Sequence, residues 1–166
     1  MKNIFLIGFM GSGKSSVGKQ LSEGLNCDYI DTDTIIETTH NKTIPEIFAR
    51  EGEASFRKYE SNALHNIPTE NCVVSTGGGI VERSSNIDQM VETGIIVYLE
   101  TDFRTIDKRL QFDTSRPLWR KNKDEKKQLY DRRIHLYQSC AAITVSTDNK
   151  LIDDLVFQIT SQVANE

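Results

Sequence analysis

The stretch Gly8-Phe9-Met10-Gly11-Ser12-Gly13-Lys14-Ser15 matches the pattern G-x-x-x-x-G-K-[ST] at every fixed position. The run Asn3-Ile4-Phe5-Leu6-Ile7 precedes it and is mostly apolar, which is typical of a buried parallel strand. After it, Val17, Leu21 and Leu25 recur at helical spacing. The glycines therefore lie between a strand and a helix, the context in which this pattern forms a phosphate-binding loop, residues 8–15.

This loop predicts a site for a polyphosphate. Glycines allow backbone N–H groups to turn inward, and the following helix directs the positive end of its dipole at the same place. Lys14 can then reach the β- and γ-phosphates, and the Ser15 hydroxyl can bind a Mg²⁺ ion that bridges them. The alternative, an ordinary glycine-rich turn, requires a chance match to every fixed residue and to both flanking elements.

Length and charge narrow the class of protein. A chain of 166 residues is expected to form one domain, large enough for a sheet covered on both faces. The net charge of −4 argues against a general nucleic-acid binder, whose surface would be basic. The sequence has no apolar run of about 18 residues and no signal-peptide pattern, so we expect a cytoplasmic protein without membrane association. We expect a monomer, because no long apolar face is left over.

The cysteines and two of the histidines do not suggest a metal site. Cys27, Cys72 and Cys140 are odd in number, far apart and without a C-x-x-C pair. We predict that they are small buried hydrophobic residues rather than disulfide partners or zinc ligands. His40 and His65 have no clustered partners and are predicted to be surface or structural residues.

Two carboxylates follow the second predicted strand, Cys27-Asp28-Tyr29-Ile30. Asp31 and Asp33 stand where a helix begins, at the carboxyl end of that strand, and this is the side on which open α/β sheets bind ligands. A helix cap with an acidic first turn would explain one aspartate. The pair therefore favours a functional role.

A pair of helices is predicted from residue 44 to residue 67, with a break near Gly52. In the second helix, Arg57 has Glu53 at the i,i+4 distance and Glu60 at the i,i+3 distance. From this spacing alone we interpret the contacts as surface salt bridges, which contribute only about a few tenths of a kcal/mol each.

The next strand, Cys72-Val73-Val74-Ser75, ends in Thr76 and three consecutive glycines, Gly77-Gly78-Gly79. Because glycine costs backbone entropy, three in a row suggest that something approaches the backbone closely. The strand has no terminal aspartate of the kind that binds Mg²⁺ in many nucleotide-driven motors and switches. A metal would then depend on Ser15, on water molecules and on Asp31.

Helices and strands continue to alternate to the end of the chain. Helices are predicted at 86–93, 102–110, 125–137 and 151–163, and strands at 95–99 and 143–146. Residues 112–124 are basic and without a period, which predicts a lid over the phosphate site. The fold class is therefore α/β, a single domain with a five-stranded parallel sheet and helices on both faces.

Taken together, the motifs resemble the shikimate kinases, small members of the nucleoside-monophosphate-kinase-like P-loop enzymes. The likeness covers nearly the whole chain and rests on the order and spacing of motifs that are individually short. Besides the phosphate loop, these are Asp31-x-Asp33, Gly52-Glu53-x-x-Phe56-Arg57-x-x-Glu60, Gly77-Gly78-Gly79, Arg116-Pro117-Leu118 and Arg133-x-x-x-Tyr137. The resemblance implies transfer of the γ-phosphate of ATP to the 3-hydroxyl of shikimate, on the route to chorismate and the aromatic amino acids.

The resemblance also implies roles for individual residues, with a substrate-binding region at about 31–64. Arg57 and Arg133 match carboxylate-binding arginines, whose planar forks suit a carboxylate, and this replaces the surface interpretation of Arg57. Asp33 is the implied general base. On the substrate side, the resemblance implies backbone contacts from Gly78 and Gly79, orientation of Arg57 by Glu60, and pocket walls formed by Phe48 and Phe56. On the phosphate side, it implies phosphoryl stabilisation by Lys14 and Arg116 and Mg²⁺ binding by Ser15 and Asp31. The residues implied to bind ATP are Gly11, Ser12, Gly13, Lys14, Ser15, Ser16, Arg109, Arg116 and the segment 147–150.

Some positions depart from the family pattern. His135 stands where the family often has proline, which bears on the backbone after Arg133. Trp119, the single tryptophan of the chain, replaces a residue that is usually smaller and bears on how the lid closes.

Other acceptors remain open on the same fold, namely gluconate, a nucleoside monophosphate or another hydroxylated metabolite. The two arginines disfavour a nucleobase acceptor but not gluconate. A GTPase-like switch is a further alternative, but it requires D-x-x-G after the third strand and N-K-x-D for guanine. Neither motif is present, because Asn149-Lys150 is followed by Leu151-Ile152-Asp153, one residue too long.

Overall fold

The computed structural model describes residues 1–166, with the exception of the Arg120 side chain. Strands and helices alternate along these residues. The strands are β1 (Asn3–Ile7), β2 (Asp28–Asp31), β3 (Cys72–Ser75), β4 (Gly94–Glu100) and β5 (Ile143–Ser146). The helices are α1 (Lys14–Leu25), α2 (Thr32–His40), α3 (Ile44–His65), α4 (Ser84–Thr93), α5 (Phe103–Leu110), α6 (Lys123–Cys140) and α7 (Ile152–Val163), with 3-10 turns at Ile80–Glu82 and Pro117–Arg120.

The strands form one parallel sheet, in the order β2-β3-β1-β4-β5 over the described residues. The central strand β1 pairs with both neighbours, and Ile4 lies opposite Val73 of β3 and Ile95 of β4. Every connection between strands passes through at least one helix, as parallel pairing requires. The predicted five-stranded parallel α/β fold is confirmed.

Helices cover both faces of the sheet, because every side chain of β1 is buried and is either apolar or hydrogen-bonded. Ile4 and Leu6 point to the face covered by α1 and α7, whereas Phe5 and Ile7 point to the face covered by α4, α5 and α6. All four side chains are at most 1% exposed. Burial of each stabilises the fold by about 1.5–3 kcal/mol relative to exposure.

A smaller core lies beside the carboxyl end of β2, between α2 and α3. Ile36, Ile47, Phe56 and Ala63 are buried there. The predicted break in α3 is confirmed at Gly52, where φ is 82° and ψ is 168°. Residues on both sides of the break pack on α2, and both parts of α3 line the smaller cavity described below.

Most predicted elements are confirmed to within two residues, and the differences have local causes. Helix α6 begins at Lys123 rather than at residue 125, because the Asn122 side chain accepts a hydrogen bond from Glu125 N at 2.9 Å and caps it. The predicted lid segment, 112–124, therefore includes the first two residues of α6. The same helix continues without interruption through His135, which is exposed.

All three cysteines are free thiols. Cys72 is buried as predicted, whereas Cys27 and Cys140 are only half-buried. His65 is exposed, and His40 stacks on Tyr59 with ring centroids 3.7 Å apart. Within the described residues, no helix combines the length and the apolar character needed to cross a bilayer.

Candidate active site

The phosphate loop lies at the carboxyl end of β1 and opens into a cleft of about 600 Å³. Gly13 caps α1 with a left-handed backbone, φ 93°, a conformation that glycine adopts without strain. The Lys14 side chain folds back over the loop, and its Nζ donates hydrogen bonds to Gly8 O at 2.8 Å and Phe9 O at 3.1 Å. The cleft is lined by all the loop residues predicted to bind nucleotide, namely Gly11, Ser12, Gly13, Lys14, Ser15 and Ser16.

Lys14 is buried where it lines this cleft. Burial, and to a smaller extent the neighbouring Arg116, lower the pKa of Lys14 to about 7, although Asp33 and Asp31 act in the opposite direction. An ammonium group held in this way has lost hydration without gaining a full counter-charge. The site therefore favours a ligand that brings negative charge.

Arg109 and the segment after β5 line the other end of the same cleft. Arg109 Nη1 donates a hydrogen bond to Gly11 O at 2.8 Å, so α5 is tied to the phosphate loop. Thr147 and Lys150 line the cleft on the opposite side. The predicted nucleotide residues thus come together around one elongated space.

Ser15 and Asp31 meet in this cleft, as a shared metal site would require. The Ser15 hydroxyl donates a hydrogen bond to Asp31 Oδ2 at 3.0 Å. The other oxygen of Asp31, Oδ1, caps α2 by accepting from Asp33 N at 3.0 Å and Thr34 N at 3.3 Å. Asp31 therefore serves as the predicted cap and still presents one oxygen to the cleft. Among the described side chains, no group of three or more His, Cys, Asp or Glu residues could hold a metal by itself.

A second, smaller cavity of about 60 Å³ lies between α3, the glycine loop and the 3-10 turn at Pro117–Arg120. Its walls include the predicted substrate residues Asp33, Arg57, Gly78, Gly79 and Arg133, together with Phe48 and Phe56. Arg57 and Arg133 are 8% and 1% exposed, although arginine is rarely buried. Two buried guanidinium groups beside an apolar wall suit a small ligand that carries a carboxylate.

Both ion pairs that the spacing of Arg57 predicts are present, but the surface interpretation was wrong for the pair with Glu60. Its Nη1 donates to Glu60 Oε2 at 2.8 Å, and the Glu60 side chain is 1% exposed. Its Nη2 donates to Glu53 Oε1 at 3.2 Å. Burial raises the pKa of Glu60 in spite of the adjacent Arg57. The pair is thus a buried one, in which Glu60 fixes the orientation of the guanidinium.

Asp33 stands between the two cavities and lines both of them. Burial, together with the nearby negative charges of Asp31 and Glu60, raises its pKa to about 6 in spite of Arg116 and Lys14. Its Oδ1 is buried without a hydrogen-bond partner among the described residues. A carboxylate with a raised pKa and a free oxygen can accept a proton from a ligand hydroxyl.

Arg116 also lines both cavities, and its charge partly offsets the effect of burial that raises the pKa of Asp33. Its nearest carboxylate is Asp113, with Oδ2 at 3.7 Å from Nε, a distance too long for a hydrogen bond. Arg116 and Asp33 therefore form a common wall through which the nucleotide cleft meets the smaller cavity.

Unsatisfied polar atoms concentrate around this wall. Among the described side chains, the buried nitrogen and oxygen atoms without a hydrogen-bond partner are Ser12 Oγ, Asp33 Oδ1, Glu60 Oε1, Arg116 Nε, Trp119 Nε1 and Arg133 Nη2. All except the tryptophan belong to residues that line one or both cavities. Buried polar groups without partners are costly, so their clustering indicates that ligands complete these contacts.

Trp119, in the segment predicted as a lid, packs against the phosphate loop and α5. The indole is 2% exposed, and its ring lies 5.8 Å from Phe9 of the phosphate loop and 6.0 Å from Phe103 of α5. Lys126 Nζ lies 4.6 Å from the centre of the same ring. The large side chain that departs from the family pattern is therefore accommodated between two elements that frame the nucleotide cleft.

Sequence reasoning missed one residue at the site, Glu82. It accepts hydrogen bonds from Arg133 Nε at 2.9 Å and from Arg132 Nη2 at 2.7 Å. Burial alone would raise the pKa of Glu82, but the hydrogen bonds and positive charges of Arg133 and Arg132 together outweigh it, so the pKa lies below its ordinary value. The partners are 51 residues apart in the chain, so no local spacing links them.

Comparisons with known proteins agree with this geometry. The family model described as shikimate kinase matches residues 10–164. A shikimate kinase from Bacillus cereus (strain AH187) is 41% identical over 163 residues, which cover 98% of this chain and 99% of the relative. The relative from Persephonella marina is 40% identical over 164 residues, with 98% and 99% coverage.

Solved structures give the same result. The shikimate kinase from Acinetobacter baumannii in complex with shikimate superposes with a TM-score of 0.92 at 34% identity, covering 99% of this chain and 94% of that one. The shikimate kinase from Aquifex aeolicus superposes with a TM-score of 0.87 at 35% identity, covering 98% and 96%. Because the family model spans nearly all of the sequence and the relatives match from end to end, this chain belongs to the shikimate kinase family.

Proposed function

We propose that this chain transfers the γ-phosphoryl group of ATP to the 3-hydroxyl of shikimate, producing ADP and shikimate 3-phosphate in the biosynthesis of aromatic amino acids. One observation supports this assignment above the others. Asp33 and Arg116 line both the phosphate-loop cleft and the cavity that contains Arg57 and Arg133. A phosphoryl donor and a carboxylate-bearing alcohol could therefore meet across a single wall.

In this proposal the acceptor is held at two ends. Arg57 and Arg133 bind the shikimate carboxylate by charge-assisted hydrogen bonds, and the carboxylate supplies the partner that Arg133 Nη2 lacks in the free protein. Asp33 accepts hydrogen bonds from the ring hydroxyls at the other end. Gly78 and Gly79 offer backbone without side chains, so the ring can lie close to the loop.

Proton transfer is assigned to Asp33. Above a pH of about 6 its carboxylate is ionised, and the unpartnered Oδ1 can take the proton of the 3-hydroxyl as the phosphoryl group moves. Lys14 and Arg116 supply positive charge on the donor side of the wall and stabilise the negative charge that spreads over the phosphoryl oxygens. The negative charge of bound ATP would raise the pKa of Lys14 and keep its ammonium protonated.

A Mg²⁺ ion fits the donor set at Ser15 and Asp31. Both residues offer oxygen atoms, 3.0 Å apart, on the edge of the cleft, and oxygen is the ligand that Mg²⁺ prefers. When bound, the ion neutralises part of the phosphate charge and orients the triphosphate.

Residues 112–124 are proposed as a lid that excludes water, because water would otherwise compete as phosphoryl acceptor.

Measurement of ADP release with different acceptors tests the proposal. The protein is incubated with ATP and Mg²⁺ and given shikimate, gluconate or AMP in separate reactions, and a GTP reaction addresses the switch-like alternative. We expect turnover that depends on shikimate and exceeds the ATP-only background by orders of magnitude. Turnover with gluconate or AMP but not shikimate would reject the assignment, and a strong preference for GTP would favour a switch.

A further inference from the structure

Glu82 joins the glycine loop to two consecutive arginines of α6. Its Oε1 accepts a hydrogen bond from Arg133 Nε at 2.9 Å and another from Arg132 Nη2 at 2.7 Å. The two arginines differ sharply in environment, since the Arg132 side chain is 61% exposed and that of Arg133 is 1% exposed. One acceptor therefore contacts a solvent-facing guanidinium and the guanidinium of the smaller cavity.

The contact with Glu82 decides which part of the Arg133 guanidinium remains available. Nε is occupied, whereas Nη2 is buried without a partner among the described residues. Nη1 lies 3.5 Å from the position that a Cβ on Gly78 would take, so the outer end of the fork reaches the glycine wall of the cavity. A planar fork whose Nε is fixed can turn little, and its free donors stay directed at the ligand.

Glu82 is itself held firmly. Its backbone N donates to Gly79 O at 3.0 Å, which closes the 3-10 turn that follows the three glycines. One helical turn beyond Arg133, Tyr137 donates its hydroxyl to Gly78 O at 2.5 Å. Two contacts therefore join α6 to the glycine loop and the turn that follows it, one through Glu82 and one through Tyr137. Only the contact through Glu82 involves charged groups.

We propose that Glu82 is a positioning residue for the reaction, an inference that rests on the proposed function. It holds Arg133 by Nε so that Nη2 meets the carboxylate of shikimate. Glu82 does not touch the reacting atoms, and its effect on the substrate passes through Arg133.

Two effects of Glu82 have opposite signs and can be separated by substitution. Its negative charge weakens the attraction between Arg133 and a substrate carboxylate, while its fixed oxygen orients the fork. Glu82→Gln removes the charge and keeps an acceptor oxygen at the same reach. Glu82→Asp keeps the charge but is shorter by one methylene, which moves the acceptor beyond hydrogen-bond distance of Nε.

The test is steady-state kinetics on the wild type, Glu82→Gln, Glu82→Asp and the control Arg132→Ala, which also removes a contact to Glu82 but faces solvent. For Glu82→Asp we expect KM for shikimate to rise about tenfold, the loss that one charge-assisted hydrogen bond represents, with KM for ATP within about twofold. Glu82→Gln should keep KM for shikimate at or below the wild-type value, and Arg132→Ala should remain within about twofold of wild type.

A substrate analogue without the carboxylate charge distinguishes positioning from general support of the fold. With the methyl ester of shikimate, the difference in KM between the wild type and Glu82→Asp should disappear. An unchanged KM for shikimate in Glu82→Asp, or an equal increase in Glu82→Gln, would overturn the positioning role. Absence of shikimate turnover in the wild type would instead reject the proposed function, so the two failures are distinguishable.

Discussion

Gly79→Ala is the substitution that most sharply tests the packing of the carboxylate clamp. The backbone of Gly79 has φ −96° and ψ 8°, which alanine adopts without strain. An added Cβ, however, would overlap the guanidinium group of Arg57, with Nη1, Cζ and Nη2 all closer than real side chains approach. The fold can accommodate the methyl group only if the end of the arginine moves.

The size of the effect follows from the contacts that would be lost. A move of about 1 Å, the shift that restores van der Waals contact, stretches the 2.8 Å hydrogen bond from Arg57 Nη1 to Glu60 past its useful range and misaligns the fork with the substrate. Loss of one charge-assisted hydrogen bond costs about 1.5–3 kcal/mol. KM for shikimate should therefore rise about 10- to 100-fold, since each 1.4 kcal/mol corresponds to about a factor of ten.

The assay is coupled ADP release at varied shikimate and at varied ATP. We expect KM for ATP and kcat to change by less than about threefold, because Arg57 binds the substrate equally in the ground and transition states. Gly24→Ala is the matched control, since its Cβ would meet nothing within 4 Å on helix α1, and it should leave the kinetics unchanged. A Gly79→Ala protein with wild-type KM for shikimate would show that Arg57 does not depend on this glycine or does not bind the acceptor.

Further predictions concern the wall residues and the lid. Asp33→Asn should lower kcat by orders of magnitude, while ATP binding measured by calorimetry is retained. The same substitution should raise Tm, because an ionised carboxyl whose pKa is raised to about 6 destabilises the fold at neutral pH. The value of kcat/KM for ATP should fall below about pH 6, as Asp33 protonates, and above about pH 7, as the buried Lys14 of the free protein loses its proton. The alkaline decrease of kcat should occur at higher pH, because bound phosphates keep Lys14 protonated. A profile that is flat from pH 5 to 9 would contradict both assignments. Phe9→Ala should increase acrylamide quenching of Trp119 fluorescence, because it removes one ring that covers the indole, and unchanged quenching would show that the lid does not rest on the phosphate loop.

The sequence predicts those parts of the site that are built from residues adjacent in the chain. The phosphate loop is contiguous, and Asp31 and Asp33 follow a strand directly, so their place at the carboxyl edge follows from chain geometry alone. The inner strands β1, β3 and β4 also could be predicted, because parallel strands buried on both faces are mostly apolar.

Other features depend on tertiary packing and leave no local mark. The i,i+3 spacing of Arg57 and Glu60 is the same in a buried pair and in an exposed one, and only the packing of α3 against the glycine loop decides between them. Glu82 reaches Arg133 across 51 residues. Trp119 is buried because the folded chain brings Phe9 and Phe103 to it, whereas the sequence around it is polar and basic.

The central claim is direct transfer of the phosphoryl group from the phosphate-loop cleft to a ring hydroxyl in the adjoining cavity. Phosphorus NMR of a reaction that contains ATP, Mg²⁺, shikimate and the protein tests it most directly. We predict that the γ-phosphate signal is replaced by ADP and by a phosphate monoester whose resonance is split by a single proton, as phosphate on a ring CH–O group requires. Appearance of ADP with inorganic phosphate alone would contradict the account, because water and not shikimate would then be the acceptor.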